Sequence, residues 1–415
     1  MEPPAPFELE LLRRDWVEGT SEKAFTARVE RCCERIDRSR EEAVFGSALE
    51  GRNKSGSFFF SDGSEAPATL IVSERDPIDF ATIFLAGVWS GNPVVLANPD
   101  WAATERQQFD QLMIAASPRC GSILIPTGGT NGGVKLAIHD WDSLRAAVEG
   151  LHKFLGGGPI HSCCLLPMHH VSGLMQLLRS LLTGGRIRFD DRETKGYCLS
   201  LVPTQLQRAF DNAAALEKIE TAATVFVGGD RIPTSLALKV RRRRLAITPV
   251  YGMTETAAMV AAVPGEAFLE DSEAGAAPIG DTEFRISETG EICIEAPTLF
   301  KGYHAKPPID LSGGYPTGDL GRIDPRGRLH VFGRVDSIII SGGEKIDPRE
   351  VEAALLGLEG IESAHVVGKA DPNWGQEVVA YITGPATSRS DGQLREALRP
   401  ELAPYKIPKK FLPEV

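Results

Sequence analysis

No stretch of the 415-residue chain stays apolar for the about 20 residues that a membrane-spanning helix takes. Met1 to Glu10 is acidic and proline-rich, without the basic and then apolar layout of a secretory signal. The seven cysteines include two adjacent pairs, Cys32–Cys33 and Cys163–Cys164, but no Cys-x-x-Cys and no Cys/His metal spacing. These absences predict a reduced, cytoplasmic protein with free buried thiols and no membrane span. Positive charge is also short: 45 Lys and Arg stand against 56 Asp and Glu, for a net charge of -11. Such a chain gains no general electrostatic help in holding nucleic acid. The run Arg241 to Arg244 is a local exception, read first as a solvated helix end where cations suit the C-terminus. Docking of a phosphate-rich substrate is its second reading. There is no internal repeat and no long low-complexity segment.

Apolar material is ample. With 42% hydrophobic and 24% charged residues, the chain can build more than one core, and its length favours one large and one small domain. The first seventy residues are helical in pattern and then loop-like, through the glycine, serine and aromatic cluster Ser55 to Ser64. The spacing next predicts helices over 78–89, 141–155 and 172–182, and short apolar strands over 93–96, 122–125, 162–166, 224–227 and 246–249. Strands alternating with helices indicate a layered α/β arrangement. After about Gly280 the pattern changes to strands over 283–287, 290–295 and 328–332 between glycine and proline turns. A composition break near Gly333 is followed by strands over 337–340, 364–367 and 378–382 and helices over 348–356 and 391–402. The expected fold class is α/β: a large layered N-terminal domain over 1–333 with a β-rich final section, plus a small α+β C-terminal domain over 334–415.

Four segments carry chemistry. Thr127-Gly128-Gly129-Thr130-Asn131-Gly132-Gly133-Val134-Lys135 follows the strand ending at Ile125-Pro126. Its glycines and hydroxyls let backbone N–H groups approach phosphate oxygens, and its lysine adds a compact positive charge. It departs from the G-x-x-x-x-G-K-[ST] pattern because Leu136 follows the lysine, and a plain surface turn competes with the phosphate reading. Tyr251-Gly252-Met253-Thr254-Glu255-Thr256 follows a short apolar strand and offers a ring for a base, a hydroxyl for a phosphate and a carboxylate for Mg²⁺. The bland alternative is a strand-to-helix turn with Thr254 as N-cap. Thr317-Gly318-Asp319 suits a bidentate grip on ribose hydroxyls, against the bland reading of an Asx-type turn. Gly333-Arg334-Val335-Asp336-Ser337 and Gly342-Gly343-Glu344-Lys345-Ile346 lie at the composition break. The arginine there can reach a ribose or phosphate, and the glycine pair lets a thin ligand pass close to backbone.

In this order the segments resemble the motifs of the acyl-adenylate-forming superfamily of acyl-CoA ligases, luciferases and peptide-synthetase adenylation domains. TGGTNGGVK is similar to the family's T-S-G-T-T-G-x-P-K, YGMTE to Y-G-x-T-E, TGDLG to T-G-D and GRVDS to G-R-x-D. SGGEKIDPREVE is similar to S-G-G-E-x-I-x-P-x-E-V-E, and the resemblance runs from about Phe80 to the C-terminus. It implies that Thr127, Gly129, Thr130 and Lys135 hold the β- and γ-phosphates. It implies that Gly228, Gly229 and Asp230 line the adenine pocket, that Tyr251 stacks on adenine, and that Gly252 and Met253 belong to the same nucleotide-binding turn. Thr254 would bond the α-phosphate, Glu255 would help hold Mg²⁺, and Asp319 would hold the ribose beside Arg334. Asp336 would be the hinge of a mobile small domain, with Gly342 and Gly343 along the path of the pantetheine arm. Leu166-Pro167-Met168-His169-His170-Val171-Ser172-Gly173-Leu174 resembles the L-P-x-F-H-x-S-G-L segment of the 2-succinylbenzoate–CoA ligase subgroup, which Phe300 to Tyr303 and Trp374-Gly375 also fit. His170 would then sit at the acyl pocket, against the bland reading of a satisfied core histidine.

The activity implied is acid–CoA ligation with ATP, Mg²⁺ and coenzyme A, and the partners are those small molecules and a carboxylic acid. Menaquinone or phylloquinone synthesis is the implied setting, and a homodimer stays open. The alternatives are a ligase for another aromatic or fatty acid, one that loads a carrier protein, and a degenerate nucleotide-binding protein. Two departures bear on this. Gly128 stands where the family usually has serine. The family's adenylation lysine belongs to a late loop resembling P-R-x-x-x-G-K, whereas these 415 residues end four after Pro404-Tyr405-Lys406-Ile407-Pro408-Lys409-Lys410-Phe411. The loop is unmatched, and Lys406, Lys409 and Lys410 do not take its role.

Overall fold

Runs such as Thr69–Val72, Val94–Leu96 and Ile123–Ile125 are apolar on both faces, and runs of that kind are stable as inner parallel strands covered by helices. The computed structural model, which describes residues 9–42, 58–60, 69–128, 133–271, 273–335 and 338–413, has all three fully buried. The chain divides into two compact units: residues 1–233, 240–283 and 295–315 form the first, and 234–239, 284–294 and 316–415 the second.

The first unit holds two sheets. One has five strands in the order Phe58–Phe60, Thr69–Val72, Val94–Leu96, Ile123–Gly128, Val134–His139, parallel at its centre and antiparallel at both edges. Helix Pro77–Trp89, capped by the Asp76 carboxylate, packs Phe80, Phe84 and Leu85 against Leu70, Val72 and Val94 of that sheet. The other has seven strands, in the order Ala277–Pro278, Ala258–Ala262, Ile247–Met253, Thr224–Val227, Cys198–Leu201, Ser162–Cys163, Ile187–Arg188. Helices Trp141–Phe154 and Val171–Thr183 contribute Leu144, Val148, Leu174 and Leu178 to the main core.

Three elements differ from the sequence expectation. The strand expected over 162–166 stops at Cys163, because Leu165 is exposed and Pro167 has no N–H to extend the ladder. The run expected over 246–249 continues to Met253, since Ala258–Ala262 folds back and pairs with its second half. Val134–His139, read as the end of a loop, is a strand antiparallel to Ile123–Gly128. Of the seven free cysteines, Cys163 and Cys164 are buried and Cys120 is exposed, so burial holds for that pair alone.

The second unit carries a four-stranded sheet, Glu283–Ile286, Glu291–Glu295, Tyr315–Ile323 and Leu329–Arg334, in that order. It also carries a five-stranded sheet built from Ile339–Ser341, Glu344–Ile346, Ser363–Asp371, Gly375–Thr383 and Lys410–Pro413. Helix Pro348–Leu356, capped by Asp347, and helix Asp391–Leu398, capped by Ser390, close its core of Ile339, Val351, Leu355, Val378, Leu394 and Leu398.

Gly173, in the first turn of helix Val171–Thr183, lets the Pro167–His170 loop lie against the helix: a Cβ there would sit 2.2 Å from the Pro167 carbonyl oxygen. Gly173→Ala is expected to lower the unfolding free energy by about 1–3 kcal/mol, read as a lower urea midpoint at unchanged slope.

Candidate functional site

The Tyr251–Thr256 segment is shaped by backbone crowding. Strand Ile247–Met253 slips register between Tyr251 and Gly252 opposite Ala258–Ala262. At Gly252 a Cβ would come within 1.8 Å of the Ala258 carbonyl oxygen, so only glycine fits. Ala257 and Ala258 adopt positive φ values of 51° and 79°, a strained arrangement for residues with a Cβ. Thr256 ties the turn, its Oγ1 accepting from Met253 N at 3.0 Å and donating to Ala258 O at 2.7 Å. The expected cap is therefore displaced: Met253 is the cap residue, the helix is a single 3₁₀ turn, and the Thr254 hydroxyl is not consumed in closing it.

Glu255, in that turn, is buried at 7% exposure. Its Oε1 accepts a 2.6 Å hydrogen bond from the Tyr303 hydroxyl, which lies 3.2 Å from the Tyr315 hydroxyl. Above the Tyr303 ring stands Lys135, with Nζ 5.6 Å from the centroid. The backbone explains this meeting. Residues 301–304 run alongside strand Val134–His139, with Lys301 N donating to Ile138 O, Ile138 N to Gly302 O and His304 N to Leu136 O. The strand bearing Lys135 is thus joined to the segment bearing Tyr303, and Phe300 N donates to Glu255 O at 2.9 Å. Phe300, fully buried, meets both tyrosines edge-on at 4.9 and 5.0 Å.

His139 ends the same strand and is wholly buried. Its Nε2–H donates to the Thr254 carbonyl oxygen at 2.8 Å, and its Nδ1 lies 3.0 Å from Ser143 Oγ. Burial outweighs these contacts and pushes its pKa down to about 4, so the ring is neutral at pH 7. This neutral imidazole anchors the backbone on which Thr254 sits.

The remaining expected residues fall as follows. Thr127 pairs with Lys135 and Gly128 with Val134 across a hairpin whose tip, Gly129 to Gly132 with Thr130, lies outside the described residues. Gly228 and Gly229 follow strand Thr224–Val227, which is parallel to Ile247–Met253 with Val227 opposite Pro249. Gly228 and Val250 therefore sit together at the carboxyl ends of adjacent parallel strands, the edge at which open α/β sheets bind ligands. A Cβ at Gly228 would lie 2.5 Å from Val250 Cγ2. Asp230 is exposed, with its carboxylate on Arg231 N. Tyr251 is half-buried beside them. His170 is exposed and precedes helix Val171–Thr183, whereas its neighbour His169 is buried. Their rings are 4.4 Å apart, and burial, then the adjacent His170, lowers the His169 pKa to about 4. The core-histidine reading thus belongs to His169.

In the second unit, Thr317-Gly318-Asp319 is not an Asx-type turn. It forms part of strand Tyr315–Ile323, held by Thr317 Oγ1 donating to Ile292 O and by Gly318 N donating to Glu291. Asp319 is buried at 8% exposure and pairs across the ladder with exposed Arg334, whose Nη1 is 3.3 Å from its carboxylate. Gly342 and Gly343, at φ 61° and 87°, make the two-residue turn between Ile339–Ser341 and Glu344–Ile346. Gly342 N donates to Trp374 O, and the Trp374 face carries Lys409 Nζ at 3.4 Å. Lys406 pairs with Glu350 and Lys410 with Glu377. Asp336 lies outside the described residues.

A single buried carboxylate with a nearby hydroxyl and lysine fits Mg²⁺ carried on a polyphosphate, since that ion keeps few protein ligands and takes oxygens from the substrate. The donor set lacks the cysteine and histidine cluster a zinc site needs, and no group of metal-holding side chains occurs among the described residues. No helix among the described residues is long and apolar enough to cross a membrane. Sequence reasoning missed Tyr303, Tyr315 and His139 as parts of the site. Tyr303 had been noted only in the Phe300 to Tyr303 subgroup match.

Comparison with known proteins bears on the same segments. Residues 66–304 match the AMP-binding enzyme family, and residues 350–414 the C-terminal domain of AMP-binding enzymes. A 2-succinylbenzoate–CoA ligase of Geobacillus sp. (strain WCH70) is 31% identical over 69% of this chain and 63% of its own length. One from Listeria monocytogenes serotype 4b is 31% identical over 76% of this chain and 69% of its own. The chain thus spans about 63% of the length of the first of these relatives. The fold is similar to that of o-succinylbenzoate CoA synthetase (MenE) from Bacillus subtilis in complex with the acyl-adenylate intermediate OSB-AMP. The TM-score is 0.72 at 23% identity, over 96% of this chain and 90% of that one. It is also similar to ATP-bound MatB from Rhodopseudomonas palustris, with a TM-score of 0.74 at 19% identity over 98% and 95% of the two chains.

Because the His139 pKa is depressed on folding, its stabilising contribution is full above the ordinary value of 6.5 and is lost as pH falls to about 4. His139→Asn is expected to flatten the stability-against-pH curve across that window by on the order of 3 kcal/mol, leaving the slope due to the other histidines whose pKa is lowered, His169 among them. Urea titrations at pH 4.5, 5.5 and 7 read this, and an unchanged slope refutes the assignment.

Proposed function

The chain belongs to the AMP-binding enzyme family, and we propose that it activates a carboxylic acid with ATP as an acyl-adenylate and passes the acyl group to coenzyme A. The favoured acid is 2-succinylbenzoate, supported by the relatives of that name and by the Leu166–Leu174 segment. Menaquinone or phylloquinone synthesis in the cytoplasm is the proposed setting. The observation that carries the reading is the meeting of Lys135 and Glu255 on one half-buried tyrosine, which joins an ammonium and a carboxylate from two distant motifs.

A carboxylate is a poor electrophile, so its oxygen attacks the α-phosphorus of ATP, the bond to the bridging oxygen breaks, and pyrophosphate leaves. Charge builds on the phosphoryl oxygens, and catalysis is mainly positioning and neutralisation. Lys135 neutralises the outer phosphates, with Thr127, Gly129 and Thr130 along the same loop. The Thr254 hydroxyl donates to an α-phosphate oxygen, and His139 fixes the backbone beneath it. Glu255 holds Mg²⁺, which when bound neutralises phosphate charge. Tyr251 stacks on adenine, with Gly228, Gly229, Asp230, Gly252 and Met253 around the base. Asp319 accepts from the ribose hydroxyls, with Arg334 as its cationic partner, and His170 lies toward the acyl group. The thiolate of coenzyme A then attacks the acyl carbon and AMP departs, with Gly342 and Gly343 leaving room for the pantetheine chain.

The test is AMP formation with ATP, Mg²⁺, coenzyme A and a panel of aromatic and fatty acids. Turnover is expected with 2-succinylbenzoate, and turnover only with another acid refutes the substrate. Lys135→Ala is expected to lower kcat/KM for ATP by about 10²-fold. Asp319→Ala is expected to weaken AMP binding by about 1.5–3 kcal/mol, the value of a hydrogen bond to a charged group. Unaltered AMP affinity refutes the ribose role.

A further inference from the structure

We propose that Tyr303 is a positioning residue that keeps the phosphate-binding lysine and the metal-binding carboxylate apart and reserves one carboxylate oxygen for the metal. This rests on the nucleotide site proposed above. Lys135 and Glu255 carry opposite charges and address the same side chain from different directions. Left to meet, an ammonium and a carboxylate pair directly, and each is then withheld from its ligand. Tyr303 stands between them. Its ring face receives the ammonium, and its hydroxyl donates to Glu255 Oε1 at 2.6 Å.

The phenol has one O–H, and it donates to Glu255. The 3.2 Å contact to Tyr315 then has Tyr315 as donor, so two hydroxyls point in series toward the carboxylate. The ring cannot turn away, because its backbone is joined to strand Val134–His139 on one side and Phe300 packs edge-on against it. With Oε1 engaged by the phenol, Oε2 is the oxygen offered to a cation. Lys135 is exposed and, among the described residues, rests on the ring face, a contact weak enough for it to move onto a phosphate.

The experiment titrates ATP into the wild-type chain, Tyr303→Phe and Tyr303→Leu by calorimetry, with Mg²⁺ and with chelator. Tyr303→Phe keeps the ring and is expected to bind metal-free ATP within about twofold of wild type while losing about tenfold of the Mg²⁺ enhancement, the value of a lost charge-assisted bond. Tyr303→Leu removes the separator and is expected to lose about tenfold in both arms as Lys135 pairs with Glu255. Thermal melts report folding. If Tyr303→Phe does not fold, Tyr315→Phe carries the test, with a smaller loss confined to the Mg²⁺ arm. A wild-type Mg²⁺ response in Tyr303→Phe, or equal losses in both of its arms, overturns the inference and leaves the function standing. A wild-type chain that binds no ATP overturns both.

Discussion

The hydrogen bond from Tyr303 to Glu255, made beneath the Lys135 ammonium, is the contact on which the chemistry proposed for the first unit depends. A buried carboxylate without a donor is costly, and this one is solvated by a phenol rather than by the nearest cation. The choice matters to the proposed role because a neutral donor leaves the carboxylate charge uncancelled, whereas a salt bridge would cancel it. Everything around the pair serves to hold this geometry. The strand Val134–His139 is bonded to residues 301–304, Phe300 wedges the two tyrosines, and His139 secures the Thr254 carbonyl.

The strain at Ala257 and Ala258 belongs to the same design. Two alanines in the left-handed region and a glycine with no room for a Cβ bring strand Ala258–Ala262 close against Gly252. The result of that crowding is a short turn that leaves Thr254 half-buried and buries the Glu255 side chain next to it. In the second unit the comparable device is the cross-strand pair Asp319–Arg334. There an exposed arginine balances a mostly buried carboxylate.

Much of the fold was legible in the sequence because it follows from apolar runs and caps. Helix Pro77–Trp89 announces itself through Asp76 and Pro77, and Thr69–Val72 and Thr224–Val227 through unbroken apolar stretches. What escaped has a physical reason in each case. Val134–His139 is an edge strand preceded by glycines, and its pairing depends on a partner across the hairpin that no local pattern encodes. Met253, rather than Thr254, caps the turn because Ala258–Ala262 pulls the chain back, a long-range effect. The motifs named the charged residues Lys135 and Glu255, but not the tyrosine that both of them touch. Tyr303 lies 48 residues from Glu255 in sequence, and a tyrosine among aromatics reads as core until its hydroxyl is seen on a carboxylate.

The central claim is that Glu255 offers one oxygen to a cation while Tyr303 keeps the other. Anomalous diffraction from a crystal grown with Mn²⁺ and a non-hydrolysable ATP analogue tests it most directly. The account predicts a metal peak within coordination distance of Glu255 Oε2, with the Tyr303 hydroxyl still on Oε1 and Lys135 moved to a phosphate. A metal bound away from Glu255, or Lys135 paired directly with that carboxylate in the nucleotide complex, would contradict it.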